Sequence, residues 1–135
     1  MTQDMTTDSV LAALERGSID PKSFSHAAHI EAGWQLLDET DFGAAVTRMS
    51  SALKRLAAAV GRPDKYHETI TVAFLALISE RRSLCPKGHS FADFRAHNPD
   101  LFAGDVLTRY YDKATLDSEL ARRAFVLPRG AEMRA

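Results

Sequence analysis

A chain of 135 residues, 45% apolar and 26% charged, can bury a core within one domain without covalent staples. Its formal charge of −1 supplies no general attraction to nucleic-acid phosphates or anionic lipid, so neither kind of partner is expected. A single cysteine, Cys85, excludes an internal disulfide framework and suits a reducing compartment.

The N-terminal MTQDMTTDSV carries no basic region and no long apolar run, so it does not read as a secretory signal. The longest apolar stretch, 70–78, falls far short of the roughly 20 residues needed to cross a bilayer. A cytoplasmic protein is expected, with one domain spanning 1–135. The ends, at about 1–6 and 129–135, lack periodic apolar positions and read as mobile tails.

Between them the periodicity is helical almost throughout. Val10, Leu11 and Leu14 mark a short helix that Gly17 ends. After a connector containing Pro21 and Phe24, Ser25 caps a second helix running to about residue 38. At about 100° per residue, His26, His29, Ile30, Gly33, Trp34, Leu36 and Leu37 share its inward face, with Glu31, Gln35 and Asp38 opposite. A third helix, about 41–60, places Phe42, Ala45, Val46, Met49, Leu53, Leu56 and Val60 on one side, and Gly61 with Pro63 breaks it.

The fourth helix, about 64–84, carries His67, Ile70, Thr71, Phe74, Leu77 and Ile78 on one face and Val72, Ala73 and Ala76 on the other. A helix without a polar side is normally surrounded by others, so it is predicted to be the central one. Ser90 caps a short helix through Phe91, Phe94 and Arg95, which Asn98-Pro99 ends. Two further helices are predicted at 106–111 and 118–125, and Phe125-Val126-Leu127-Pro128 closes as an extended apolar strap. The fold class is all-α, a single-domain bundle of about five to seven helices.

The concentrated chemical feature is histidine. His26 and His29 are spaced i, i+3 and converge on one helical face, and His67 opens the central helix on a face that must meet a neighbour. Three neutral imidazoles from two helices would suit zinc, nickel, iron or copper, with positions left open for water or substrate. Glu68 projects about 100° from His67 and would serve behind the ligands or from a frayed first turn. The spacing lacks the HExxH glutamate, so zinc-protease chemistry has no support.

Inward histidines are also used as hydrogen-bonded core residues, although three such imidazoles each need a partner. Thr71 could line a pocket or bond back to the His67 carbonyl. Arg81 and Arg82 complement the dipole at the end of the central helix, and Arg122 and Arg123 read as a solvated face. Cys85 and His89 flank a Pro-Lys-Gly turn and do not make a zinc knuckle.

At Phe24-Ser25-His26-Ala27-Ala28-His29 and Lys65-Tyr66-His67-Glu68-Thr69-Ile70-Thr71 the chain resembles a family of small, functionally uncharacterised bacterial proteins. Asn98-Pro99-Asp100-Leu101, Tyr110-Tyr111 and Phe125-Val126-Leu127-Pro128 extend the resemblance from about Phe24 to Pro128. Members often carry an acidic residue where Arg129 stands here. The resemblance implies a small helical protein and weights these segments, but it implies no particular reaction.

Three functional readings follow. The first is a metal site of His26, His29 and His67, assisted by Glu68 or Tyr66, with Lewis-acid chemistry on a small molecule. The second is a metal-free pocket that binds a small ligand or performs acid/base work with His67 and Glu68 or a tyrosine. The third is an interaction module with structural histidines and a contact surface near 91–102. The sequence assigns no oligomeric state.

Overall fold

The computed structural model describes residues 9–128, so the two expected tails lie outside the described residues. Within that span the chain is all-helical, with seven α-helices and no strand among the described residues. None of the helices among the described residues is long and apolar enough to cross a membrane.

Side-chain caps set most of the helix starts. Ser9 accepts the Ala12 N–H to open α1 (Val10–Arg16), and Gly17 closes it in the left-handed conformation, φ 75°. Ser25 does the same for α2 (His26–Glu39) and Asp41 for α3 (Phe42–Ala59). The central α4 (Glu68–Ser83) is capped by a histidine, His67. Ser90 and Asp93 form a reciprocal capping box at α5 (Phe91–His97). Asp112 and Ser118 open the two short helices α6 (Lys113–Asp117) and α7 (Glu119–Arg123). Each cap satisfies an N–H that the helix leaves over and contributes about 1 kcal/mol.

The core has two lobes, and α4 feeds both. On one side Ala73, Phe74, Leu77 and Ile78 pack with Ile30, Phe94, Leu101, Val106, Leu107 and Tyr111. On the other, Leu75 joins Leu11 and Leu14 of α1, Ala32 and Leu36 of α2, and Ala45, Met49, Ala52 and Leu53 of α3. The expectation of a central, all-round apolar helix is met. Gly33 allows α2 to approach it: a Cβ there would stand 3.1 Å from both Ile78 Cδ1 and Leu75 Cδ2.

Polar side chains fasten the ends of these helices. Gln35, expected on the outward face of α2, turns its Oε1 to accept the Leu11 N–H at 3.0 Å, satisfying a free donor of α1. Arg81 forms a two-pronged pair with Asp100 (2.8 and 3.0 Å) and also donates to Asn98 Oδ1, so it does more than complement a dipole. Arg82 reaches Asp38 at 3.0 Å and lies over the Trp34 ring.

The sequence reading needs correction at three elements. The fourth helix begins at Glu68, not Asp64, because Pro63–Lys65 winds as a 3₁₀ turn and Tyr66 is extended. The segment predicted as a helix at 106–111 is a 3₁₀ turn, Val106–Arg109. The last predicted helix stops at Arg123, and α6, which the reading left out, precedes it. The closing strap lies outside the helices, and hydrogen bonds hold it more than burial does: Leu127 is 70% exposed and Phe125 42%. Thr69 Oγ1 donates to the Ala124 carbonyl at 2.7 Å and accepts the Val126 N–H at 3.0 Å, while Tyr111 Oη donates to the Val126 carbonyl.

Candidate functional site

Two proline-led 3₁₀ turns, Pro21–Ser23 and Pro63–Lys65, deliver the chain into α2 and towards α4. The start of α2, the C-terminal half of α3 and the start of α4 enclose a cleft of about 500 Å³ between these turns. Its apolar wall comes from Phe24, Leu53, Leu56, Ala57, Val60 and Ile70. The polar groups on it are Lys22, His29, Lys65, Tyr66, His67 and Thr71. A second, narrow cavity of about 50 Å³ continues inward past His26 and His29 towards Met49, Phe74 and Ile78. His29, Ile70 and Thr71 border both spaces.

The structure therefore joins His29 with His67 at the cleft, and His26 with His29 at the inner cavity. Among the described residues, no group of three or more His, Cys, Asp or Glu side chains is arranged to hold a metal ion.

Each of the three histidines has a different role. His67 is the N-cap of α4, and not a residue on its helical face as the phase predicts. Its Nδ1 accepts the Ile70 N–H at 3.1 Å, which fixes the proton on Nε2, and Nε2–H donates to the Leu116 carbonyl at 2.7 Å. Both ring nitrogens are committed to joining α4 and α6. Thr71 does both of the things the sequence offers it, donating to the His67 carbonyl at 2.8 Å and lining the cleft.

His26, predicted to point inward, is exposed as a residue. It occupies the first position of α2, where the chain turns out of the connector. Its Nε2–H donates to the Leu101 carbonyl at 2.9 Å and its ring meets Phe74 edge-on, with centroids 5.2 Å apart. His26 thus ties α2 to the Pro99–Phe102 turn.

His29 is the exception. Its ring lies against Phe24, with centroids 5.4 Å apart, and among the described residues neither nitrogen has a hydrogen-bond partner. No fully buried side-chain nitrogen or oxygen there lacks a partner, so the His29 nitrogens open onto the cavities they border. Burial, and then the neighbouring His26, push its pKa down to about 4.

This shift has a direct consequence for stability. With the folded pKa near 4 and the unfolded value near 6.5, the unfolded chain takes up a proton that the folded chain refuses. Stability is full above the unfolded value and is lost as pH falls from about 6.5 to about 4. Among the described residues no carboxylate lines the cleft to offset the effect. Allowing for the solvent that reaches the ring, the loss is about 2 kcal/mol. His29→Leu should flatten this part of the curve of unfolding free energy against pH. An unchanged slope in the variant would contradict the assignment.

The two residues expected to assist are paired with each other. Tyr66 Oη donates to Glu68 Oε1 at 2.6 Å, and burial, followed by that carboxylate, raises the tyrosine pKa. Tyr66 lines the cleft, with Lys54 over its ring at 5.2 Å; Glu68, the first residue of α4, is not among the lining residues. Sequence reasoning missed Lys22 and Lys65, which only the two folded connector turns bring to the same cleft. His89, set aside with Cys85 as no zinc knuckle, instead accepts the Trp34 indole N–H on its Nε2 at 3.0 Å, across 55 positions of sequence.

Comparison with protein-family models, curated proteins and solved structures found no match to this chain.

Proposed function

We propose that this protein binds a small molecule in the cleft between α2, α3 and α4, with His29 as the group that recognises it and no metal in the site. The observation that carries this reading is the difference among the histidines. His67 and His26 spend ring nitrogens on the fold, whereas His29 offers both of its own to an apolar space. Both nitrogens open onto a cleft with an apolar wall, so a ligand can bond to the ring without breaking a hydrogen bond of the fold. The cleft volume lies within the range of small-molecule sites, about 300–1,000 Å³.

Recognition is favoured over catalysis. A general base works best with a pKa near ambient pH, and an imidazole held neutral down to about 4 is a weak base. A metal at these residues would have to displace the Ile70 N–H or the Leu116 carbonyl from His67.

The test is a screen of small alcohols, amines and carboxylic acids with apolar bodies, followed by the NMR signals of the His29 ring and the Leu53 and Leu56 methyl groups. At least one class should move all three, and His29→Leu should abolish the response. A screen in which no class moves them would overturn the reading.

A further inference from the structure

The charges around the cleft select among ligand classes. Lys22 and Lys65 stand on the two proline-led turns at its mouth, both exposed and neither paired with a carboxylate among the described residues. Among the described residues, no Asp or Glu lines the cleft. The neighbouring cleft beyond Tyr66 differs, since Asp64 and Glu119 offset part of the charge of Lys54, Arg122 and Arg123 there. The inner end, where the cleft meets the narrow cavity, holds the unpartnered His29. An aliphatic wall lies between the two ends.

We infer that the ligand is a small monocarboxylic acid with an apolar body and one hydrogen-bonding group at its far end. The carboxylate faces Lys22 and Lys65, the body covers Leu53, Leu56 and Val60, and the far group meets His29. Each part follows from complementarity. A cation would face two ammonium groups with no carboxylate on the lining among the described residues, and a wholly neutral ligand would leave both lysines unused. A polyanion such as a phosphate ester would want an arginine fork, and no arginine lines the cleft among the described residues. The inference rests on the ligand-binding reading above and adds the chemical class.

The test compares 3-(4-hydroxyphenyl)propanoate with 3-(4-hydroxyphenyl)propan-1-ol, which keeps the ring and phenol and lacks the charge. Binding is followed by NMR titration of the wild-type chain and of a Lys22→Met/Lys65→Met double variant. Both lysines are solvent-exposed, so the variant keeps the core intact. The acid should bind the wild type about tenfold more tightly than the alcohol at low salt, and the double variant should lose that preference while holding the alcohol as before. Alcohol binding as tight as acid binding in the wild type, or an unchanged acid preference in the double variant, would overturn the carboxylate assignment and leave the pocket standing. Failure of both compounds to shift His29 would remove the carboxylate assignment, and the wider screen would then decide the pocket reading separately.

Discussion

Replacing His67 with alanine is expected to destabilise the fold by about 2–4 kcal/mol, with no ligand or metal present. Two interactions are lost together. The Ile70 N–H, one of the donors the start of α4 cannot satisfy internally, loses its acceptor, and the Leu116 carbonyl loses its only side-chain donor among the described residues. An N-cap contributes about 0.5–2 kcal/mol, and an orphaned carbonyl in a partly buried site costs about 1–3 kcal/mol. His67→Asn separates the two, because asparagine caps a helix well but is too short to replace the imidazole at Leu116. It should recover roughly the cap and no more. Urea denaturation of the three proteins measures this directly. An alanine variant with an unchanged midpoint would show that His67 is not structural.

The second large effect is expected at Thr69, which is 0% exposed. Its hydroxyl both donates to Ala124 and accepts from Val126, and so fastens the closing strap to the central helix. Thr69→Val keeps the shape and removes the hydroxyl, leaving a backbone N–H and a carbonyl without their partner. Water reaches the strap in part, so the cost is about 1–3 kcal/mol. The Val126 amide should also exchange with solvent much faster, while Thr69→Ser retains most of its protection. Equal protection at Val126 in the valine variant would contradict this account of the strap.

Where the sequence could be read, it could be read for physical reasons. The starts of α2 and α3 depend on Ser25 and Asp41, side chains that cap helices in their own neighbourhood, followed by runs with clear helical period. The central position of α4 follows from its lack of a polar face, which needs no knowledge of its neighbours. His67 was legible as an important position but not in its role. Histidine is outside the usual capping set, and only the 3₁₀ turn at Pro63 moves the helix start four residues on, to Glu68.

The C-terminal third was harder, because helices of five residues and single 3₁₀ turns carry too few periods to register a phase. The site was half legible. Helical phase brings His29 to the interior but sends His26 there as well, since it treats the first residue of a helix like any other. The partners that distinguish the histidines, Leu101, Leu116 and Phe24, come from other segments. Two of them, Leu101 and Leu116, lie 75 and 49 positions away, and both are met through backbone carbonyls that no side-chain pattern encodes.

The central claim is that one of the three histidines, His29, is free for a ligand and that His26 and His67 belong to the fold. Nitrogen-15 NMR of the imidazole rings across pH, on chain purified without a histidine tag and before and after zinc is added, addresses it most directly. The account predicts that His67 keeps its proton on Nε2 at neutral pH, that His29 stays neutral until pH approaches about 4, and that zinc moves neither. A His29 that titrates near the ordinary histidine value, or a joint shift of His26, His29 and His67 at one zinc per chain, would contradict it.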